Sequence, residues 1–294
     1  MMRSPRLVTW VCSGVFAAIA AGVLLSGLPV RTAHAEDDAE KQAAQARKDR
    51  YTNWMRTYAE GTSISLPPGD RSDEQTVELV PNPVFRYSDE ERLIPDATLW
   101  VWTRDARPVA FQKVEGNNHG GGQMWTICFA SLSEELVKVR WPGNREYAAR
   151  KPGVTFTPIP GADAPADNPR LRIAQIKSLK DRFTARLNVK DDGTSGAETR
   201  TIPKPIFEYS DPQTKLPVGA IFGMTSTGTN PDLLLLIEAR KASDSKLRWE
   251  YAHARMTSAS IRFRLDDAEV WAEKSVASAA FENWIYFFLQ RGFP

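Results

Sequence analysis

The chain has 294 residues, 42% hydrophobic and 25% charged, with 38 basic against 36 acidic side chains. That is enough apolar material for a buried core, and it leaves no global electrostatic footprint for nucleic acid. Two cysteines and three histidines leave no room for a disulfide framework or a Cys/His metal motif.

Residues 1–35 read as a cleavable secretory signal peptide. Arg3 and Arg6 supply the positive start, Leu7 to Val30 the apolar stretch, and Ala33-His34-Ala35 the small-x-small site, after which an acidic run begins at Glu36. The rival reading is an uncleaved membrane anchor, since the apolar stretch is long enough to span. Cys12 lies too early, behind the bulky Trp10 and Val11, for a lipidation site. Cleavage removes Arg3, Arg6 and Arg31 and no acid, so the remaining chain carries one more acid than base and a single cysteine, Cys128. The chain is expected in the periplasm or outside the cell.

A first helix is expected over about 38–60, with Tyr51, Trp54, Met55 and Tyr58 on one face. Then comes an internal repeat. VPNPVFRYSD at 80–89 matches IPKPIFEYSD at 202–211 at six of ten positions. The match continues in order: Ile94-Pro95 with Leu216-Pro217, Thr103 with Thr225, Pro108 with Pro231, Glu115 with Glu238 and Trp125 with Trp249. Val137, Val139 and Trp141 alternate with Lys138 and Arg140, as Ile261, Phe263 and Leu265 do with Arg262 and Arg264, the period of a half-buried strand. Val109 to Val114 follows a turn and tolerates a strand, which assigns its counterpart, the ambiguous apolar run Leu233 to Ile237, to a strand as well. Pro152 to Pro169 reads as a linker. A second helix is expected over 168–187, capped by Asn168 with Pro169 in its first turn and striped by Ile176, Leu179, Phe183 and Leu187. Asp191-Asp192-Gly193 marks a turn. The aromatic tail from Phe281 to Leu289 is too short to span a bilayer and is expected to dock on the second unit.

The predicted fold is α+β and mainly β: two tandem copies of an antiparallel β-meander, each preceded by one helix that packs on it. The boundaries are 1–35 for the signal, 36–160 for the first helix and β unit, 161–275 for the second, and 276–294 for the docking segment. The segments DATLWVW, WTICFASLS, ARKPG, PKPIFEYSD, LLLLIEAR and WEYAHARMTS resemble those of a family of exported bacterial proteins with a duplicated β-rich unit. The resemblance implies the two-part layout and brings no activity, cofactor or catalytic residue with it.

The chemistry-bearing residues each have a structural reading. His119-Gly120-Gly121-Gly122 resembles an esterase oxyanion loop, but no G-x-S-x-G elbow accompanies it, and its counterpart, Lys241 to Ser245, is an ordinary polar loop. His253 takes the place of Phe129 and reads as a partly buried, hydrogen-bonded residue. Cys128, matched by Ala252, reads as a small packing residue, since nothing near it in sequence lowers its pKa. Glu115 and Glu238 end equivalent strands, and strand-end ion pairs account for them; paired carboxylates also do acid–base work on sugars. Trp100 and Trp102 share a strand face, where an exposed indole pair would bind a glycan or peptide and a buried pair would be core. Lys138, Arg140, Arg262 and Arg264 are candidates to grip an acidic polymer, or they are the solvated side of two strands. No phosphate loop, dinucleotide fingerprint or metal spacing is present, so no cofactor is expected.

Two functions follow. One is a non-enzymatic binding or structural protein of the periplasm or cell surface, with Trp100, Trp102, Lys138, Arg140, Arg262 and Arg264 as candidate ligand contacts and an envelope glycan or protein as partner. The other is an envelope glycan hydrolase using Glu115 or Glu238. A membrane enters only if the signal stays uncleaved. Mass spectrometry of the exported product is expected to find Glu36 as its first residue; an intact Met1 on a membrane-bound product contradicts cleavage.

Overall fold

The computed structural model describes residues 31–67, 77–118, 124–188, 195–211, 216–276, 279–280 and 283–289. The apolar stretch of the expected signal, the His119–Gly122 loop, the Asp191–Gly193 turn and the start of the tail at Phe281 lie outside them. The chain divides into two compact units, Met1–Ala44 and Gln45–Pro294. The described part of the first is helical, and exposed from Asp37 onward.

Helix α1 (Arg31–Glu60) is followed by β1 (Ser63–Ser65), β2 (Glu78–Leu79), β3 (Phe85–Asp89), β4 (Ile94–Arg104), β5 (Arg107–Asn117), β6 (Met124–Ser131), β7 (Lys138–Trp141) and β8 (Arg145–Ala148). The linker carries β9 (Thr157–Pro158). Helix α2 (Pro169–Lys180) leads to β10 (Phe183–Leu187), β11 (Ala197–Glu198), β12 (Arg200–Thr201), β13 (Phe207–Asp211), β14 (Leu216–Thr225), β15 (Leu233–Lys241), β16 (Leu247–Arg255), β17 (Ile261–Leu265) and β18 (Ala268–Glu273). The tail adds β19 (Ala279–Ala280) and β20 (Trp284–Leu289).

The described chain is mainly β, and every strand pair is antiparallel. The first large sheet runs β19-β20-β6-β5-β4-β2, with β3 also on β4; the second runs β12-β14-β15-β16-β9, with β13 also on β14. Two small sheets, β1-β7-β8 and β11-β10-β17-β18, stand apart from them. The expected meander thus holds from β3 to β6 and from β13 to β16, and then each chain leaves for a second sheet. Period-two alternation fixes which way a strand's side chains face and says nothing about which sheet it joins.

The large sheets pack face to face. Leu99, Val101, Phe111 and Ala130 of the first share one core with Ile221, Leu234, Leu236, Ala252 and Met256 of the second. The outer face of the first sheet packs on Tyr51, Met55 and Tyr58 of α1 and on Val137, Val139 and Trp141. The outer face of the second packs on Ile176 and Leu179 of α2 and on Phe183, Ile261, Phe263 and Leu265. Each large sheet is therefore buried on both faces, and this explains why Leu233 to Ile237 is apolar without alternation: all five residues are buried.

Polar ties cross the seam between the sheets. Lys113 Nζ donates to Asn230 Oδ1 (2.6 Å) and to the Met256 carbonyl (2.7 Å). Arg92 donates from both Nη atoms to Asp232 (2.6 and 3.1 Å), and Arg107 pairs with Glu238.

Two local expectations are corrected. Helix α2 ends at Lys180, not 187, although Asn168 caps it as read, its Oδ1 accepting from Arg170 N–H at 2.8 Å. Phe183, Ala185 and Leu187 are buried with Thr184 exposed between them. A four-residue spacing fits a helix and two strand periods equally, so Phe183 and Leu187 misled. The tail docks on the first large sheet: β20 pairs along β6, Trp284 opposite Ala130 through Leu289 opposite Trp125.

Candidate functional site

Trp100 and Trp102 do lie on one face, and that face is core. Each is 1% exposed among residues of α1, β6 and β7. The Trp100 Nε1–H donates to Thr98 Oγ1 at 2.9 Å. As large side chains on a sheet buried on both faces they offer no exposed indole pair, and the core alternative describes them.

Val137, Val139, Trp141, Ile261, Phe263 and Leu265 point inward, and Lys138, Arg140 and Arg264 are exposed with Arg262 half-buried. The cations sit on two different small sheets and are not brought together as four. Arg140 Nε pairs with Glu146 across β7–β8 (2.6 Å), and Arg262 Nη1 lies 3.4 Å from Glu269 on β18. Trp102, Lys138 and Arg140 do line one groove of about 790 Å³ with Glu60, Ile64 and Tyr147. Glu250 on β16 pairs with Arg248 (2.7 Å) and Arg240 (3.2 Å) and with neither of these sets.

The two carboxylates have separate settings. Glu115 is 1% exposed, accepts from Tyr87 O–H at 2.7 Å, and lies 3.8 Å from Lys113 Nζ. Glu238 accepts from Tyr209 O–H at 2.9 Å and pairs with Arg107 and Arg240. Burial raises the Glu238 pKa, against the pull of Arg107 and Tyr209. Glu238 lines a small cavity of about 210 Å³ with Arg104, Arg107 and Tyr209.

Cys128 is buried, and burial pushes its thiol up to about 12. Its sulfur accepts from Trp284 Nε1–H at 3.3 Å. A protonated thiol packed under an indole is a structural group, not a nucleophile.

The site that sequence reasoning missed lies at the outer edge of β16. A cavity of about 320 Å³ opens between β16 and the linker 151–157. Tyr251, His253 and Trp271 line it on one side of the edge, Ala130, Ala254 and Trp284 on the other, with Arg255 at its end. His253 was expected to be hydrogen-bonded. Its ring packs on Trp271 (4.5 Å between centroids) and Phe263 (5.2 Å) instead, and its buried Nδ1 has no hydrogen-bond partner among the described residues. Arg255 is 7% exposed and donates from Nε and Nη2 to the carbonyls of Thr257 (2.7 Å) and Lys274 (2.9 Å), among others. Its guanidinium stands 5.0 Å over the Trp284 ring. Aromatic walls beside a buried cation held by carbonyls suit a ligand with an aromatic body. The one signal in the sequence was His253 itself, a polar residue in an otherwise apolar strand segment.

Burial pulls the His253 imidazole down to about 4 from its ordinary 6.5. The unfolded chain therefore takes up a proton at His253 before the folded chain does. The stability this neutral ring contributes is complete above the unfolded value and is lost as pH falls through the window from 6.5 to about 4. Between about pH 7.5 and about pH 4.5 the loss is on the order of 2.5 kcal/mol. Urea unfolding at the two pH values is expected to show that loss in the parent chain and to show it reduced by about that amount in His253→Phe. An equal loss in both contradicts a half-buried neutral imidazole.

No protein-family model, no curated protein and no solved structure matches this chain, so the reading of the site rests on its own geometry.

Proposed function

We propose that this is an exported, non-enzymatic binding protein made of two copies of one α-plus-β unit, with its ligand site in the β16 cavity of the second copy. The export reading rests on the Ala33-His34-Ala35 site behind an apolar stretch. The duplication reading is supported by strand register. Tyr87 sits opposite Ala97 and Tyr209 opposite Gly219; Ala97 sits opposite Glu115 and Gly219 opposite Glu238; Ala130 sits opposite Phe111 and Ala254 opposite Leu234; Ala148 sits opposite Lys138 and Ala272 opposite Arg262. These are the pairs the aligned sequences call for. Both β3 and β13 carry a register shift just past their tyrosine. Ties across the seam exchange in the same way: Arg107 reaches Glu238, and Asn230, one residue before the matching proline, accepts from Lys113 beside Glu115.

The hydrolase alternative is weakened by the carboxylates themselves. A catalytic pair must meet one substrate from two sides. Glu115 is 1% exposed beneath Tyr87, and Glu238 is held by its own tyrosine and two arginines.

The observation that carries the binding reading is the difference between the copies at one place. In the first, the edge over Cys128 and Ala130 is closed by the Trp284 indole; in the second, the edge over Ala252 and Ala254 borders the cavity. Indole itself is the natural probe. Titrated into the protein, it is expected to shift the His253 imidazole NMR signals saturably. Thr155→Trp, which places a ring in the cavity from the exposed linker, is expected to abolish the shift while leaving the fold intact. Absence of a saturable shift in the parent chain removes the site.

A further inference from the structure

The two large sheets end in edge strands that are covered to different extents. On β6 the ladder with β20 runs over six residue pairs. On β16 the ladder with β9 pairs only Tyr251 with Thr157 and Glu250 with Pro158, extended by the bond from Ile159 N–H to the Trp249 carbonyl. Beyond Tyr251 the linker turns away, because the N–H groups of Gly153 and Val154 bond the Ser133 carbonyl (2.8 and 3.3 Å). Asn283 Nδ2 fixes the same segment from the other side, donating to the Gly153 carbonyl at 3.1 Å. His253 to Arg255 thus line a cavity where Phe129 to Ser131 have the tail strand and its lead-in beside them.

The lining of that cavity comes from both sides of the β16 edge, as the surroundings of an added strand would. A strand laid beside β16 would turn alternate side chains to opposite faces of the sheet. The cavity reaches both faces, Ala254 on the one shared with the first sheet and His253 with Trp271 on the other. On β6 the residue opposite Ala130 is Trp284, 2% exposed and locked to Cys128. Ala254 is the counterpart of Ala130, and both are small enough to seat a large ring. Arg255, whose guanidinium stands over the Trp284 ring, also lines the cavity beside Ala254 and offers a cation to a second ring seated there.

We propose that the open edge of β16 takes an extended peptide strand from a partner protein, with a large aromatic side chain seated over Ala254. The proposal rests on the cavity being a binding site and adds what enters it. An uncovered strand edge offers backbone donors and acceptors for strand addition, and the pocket beside it selects the side chain.

The test uses the full exported chain and a peptide of its own residues 283–289, Asn-Trp-Ile-Tyr-Phe-Phe-Leu, flanked by lysines for solubility and carrying a fluorophore and a diazirine. Saturable binding is expected, with cross-links on residues 151–157 or 251–255. Thr155→Trp in the protein, and alanine in place of the peptide's tryptophan, are each expected to weaken binding at least about tenfold. Cross-links on 125–130 mean that the peptide has displaced β20 and overturn the proposal, as does the absence of binding. A concentration-dependent dimer of the unliganded chain cross-linked through 251–255 also overturns it, by making a second copy the occupant. If indole still shifts His253 while the peptide does not bind, strand addition falls and the binding site stands; if neither binds, both fall.

Discussion

Everything in this fold leans on the seam between the two large sheets. Lys113 carries its ammonium into that seam from β5 with its side chain only 2% exposed. An ammonium taken out of water is costly unless its donors are met. Its donors are met by Asn230, in the connection before β15, and the Met256 carbonyl, just past the end of β16, with Glu115 and the Tyr87 ring close by. The cation is satisfied only when the sheets face each other in one register. The apolar seam around it supplies the driving force, since Leu99, Val101, Phe111, Leu234, Leu236 and Met256 bury there completely or nearly so. Apolar contact is tolerant of small slides; the Lys113 and Arg107–Glu238 ties are not, and they fix the alignment.

The outer layers follow from the same constraint. Once the inner faces are used on each other, the outer faces still carry Trp100, Trp102, Phe222 and Met224 and need cover. Helix α1 with the sheet of β7 supplies it on one side, and helix α2 with the sheet of β10 and β17 on the other. This is why β7 and β17 leave their meanders: a strand that continued the large sheet would leave an apolar face exposed to water.

Much of this was legible in the sequence where a pattern is local. The alternation of Val137, Val139 and Trp141 fixed orientation correctly, Asn168-Pro169 marked a true helix start, and the apolar run at Leu233 is the strand it was read as. Legibility stopped where the deciding contact is distant. Phe183 and Leu187 satisfy two periods at once, and only their pairing with Leu265 and Ile261 makes them strand. The tail is apolar enough to demand a dock, but which edge it takes is decided by the seat at Cys128 and Ala130. Lys113 sits inside an apolar run, and a lysine among buried strand residues is itself a signal, though its partners are distant in sequence. The candidate site was hidden for the same reason: a cavity left by an uncovered edge has no motif. That Trp100 and Trp102 share a face was legible, but sharing a face does not say whether the face is covered, which left core and platform as alternatives.

If the seam is what the rest depends on, the two sheets cannot unfold apart. The most direct measurement is equilibrium unfolding in urea, followed in parallel by far-UV circular dichroism, which reports all the strands, and by tryptophan fluorescence of a variant with Trp249, Trp271 and Trp284 replaced by phenylalanine, which leaves Trp54, Trp100, Trp102, Trp125 and Trp141 on the first sheet's outer side as the described reporters. A shared core predicts a single transition with coincident midpoints by both probes. Two separated transitions, with one half of the strand signal surviving loss of the tryptophan signal, would contradict it.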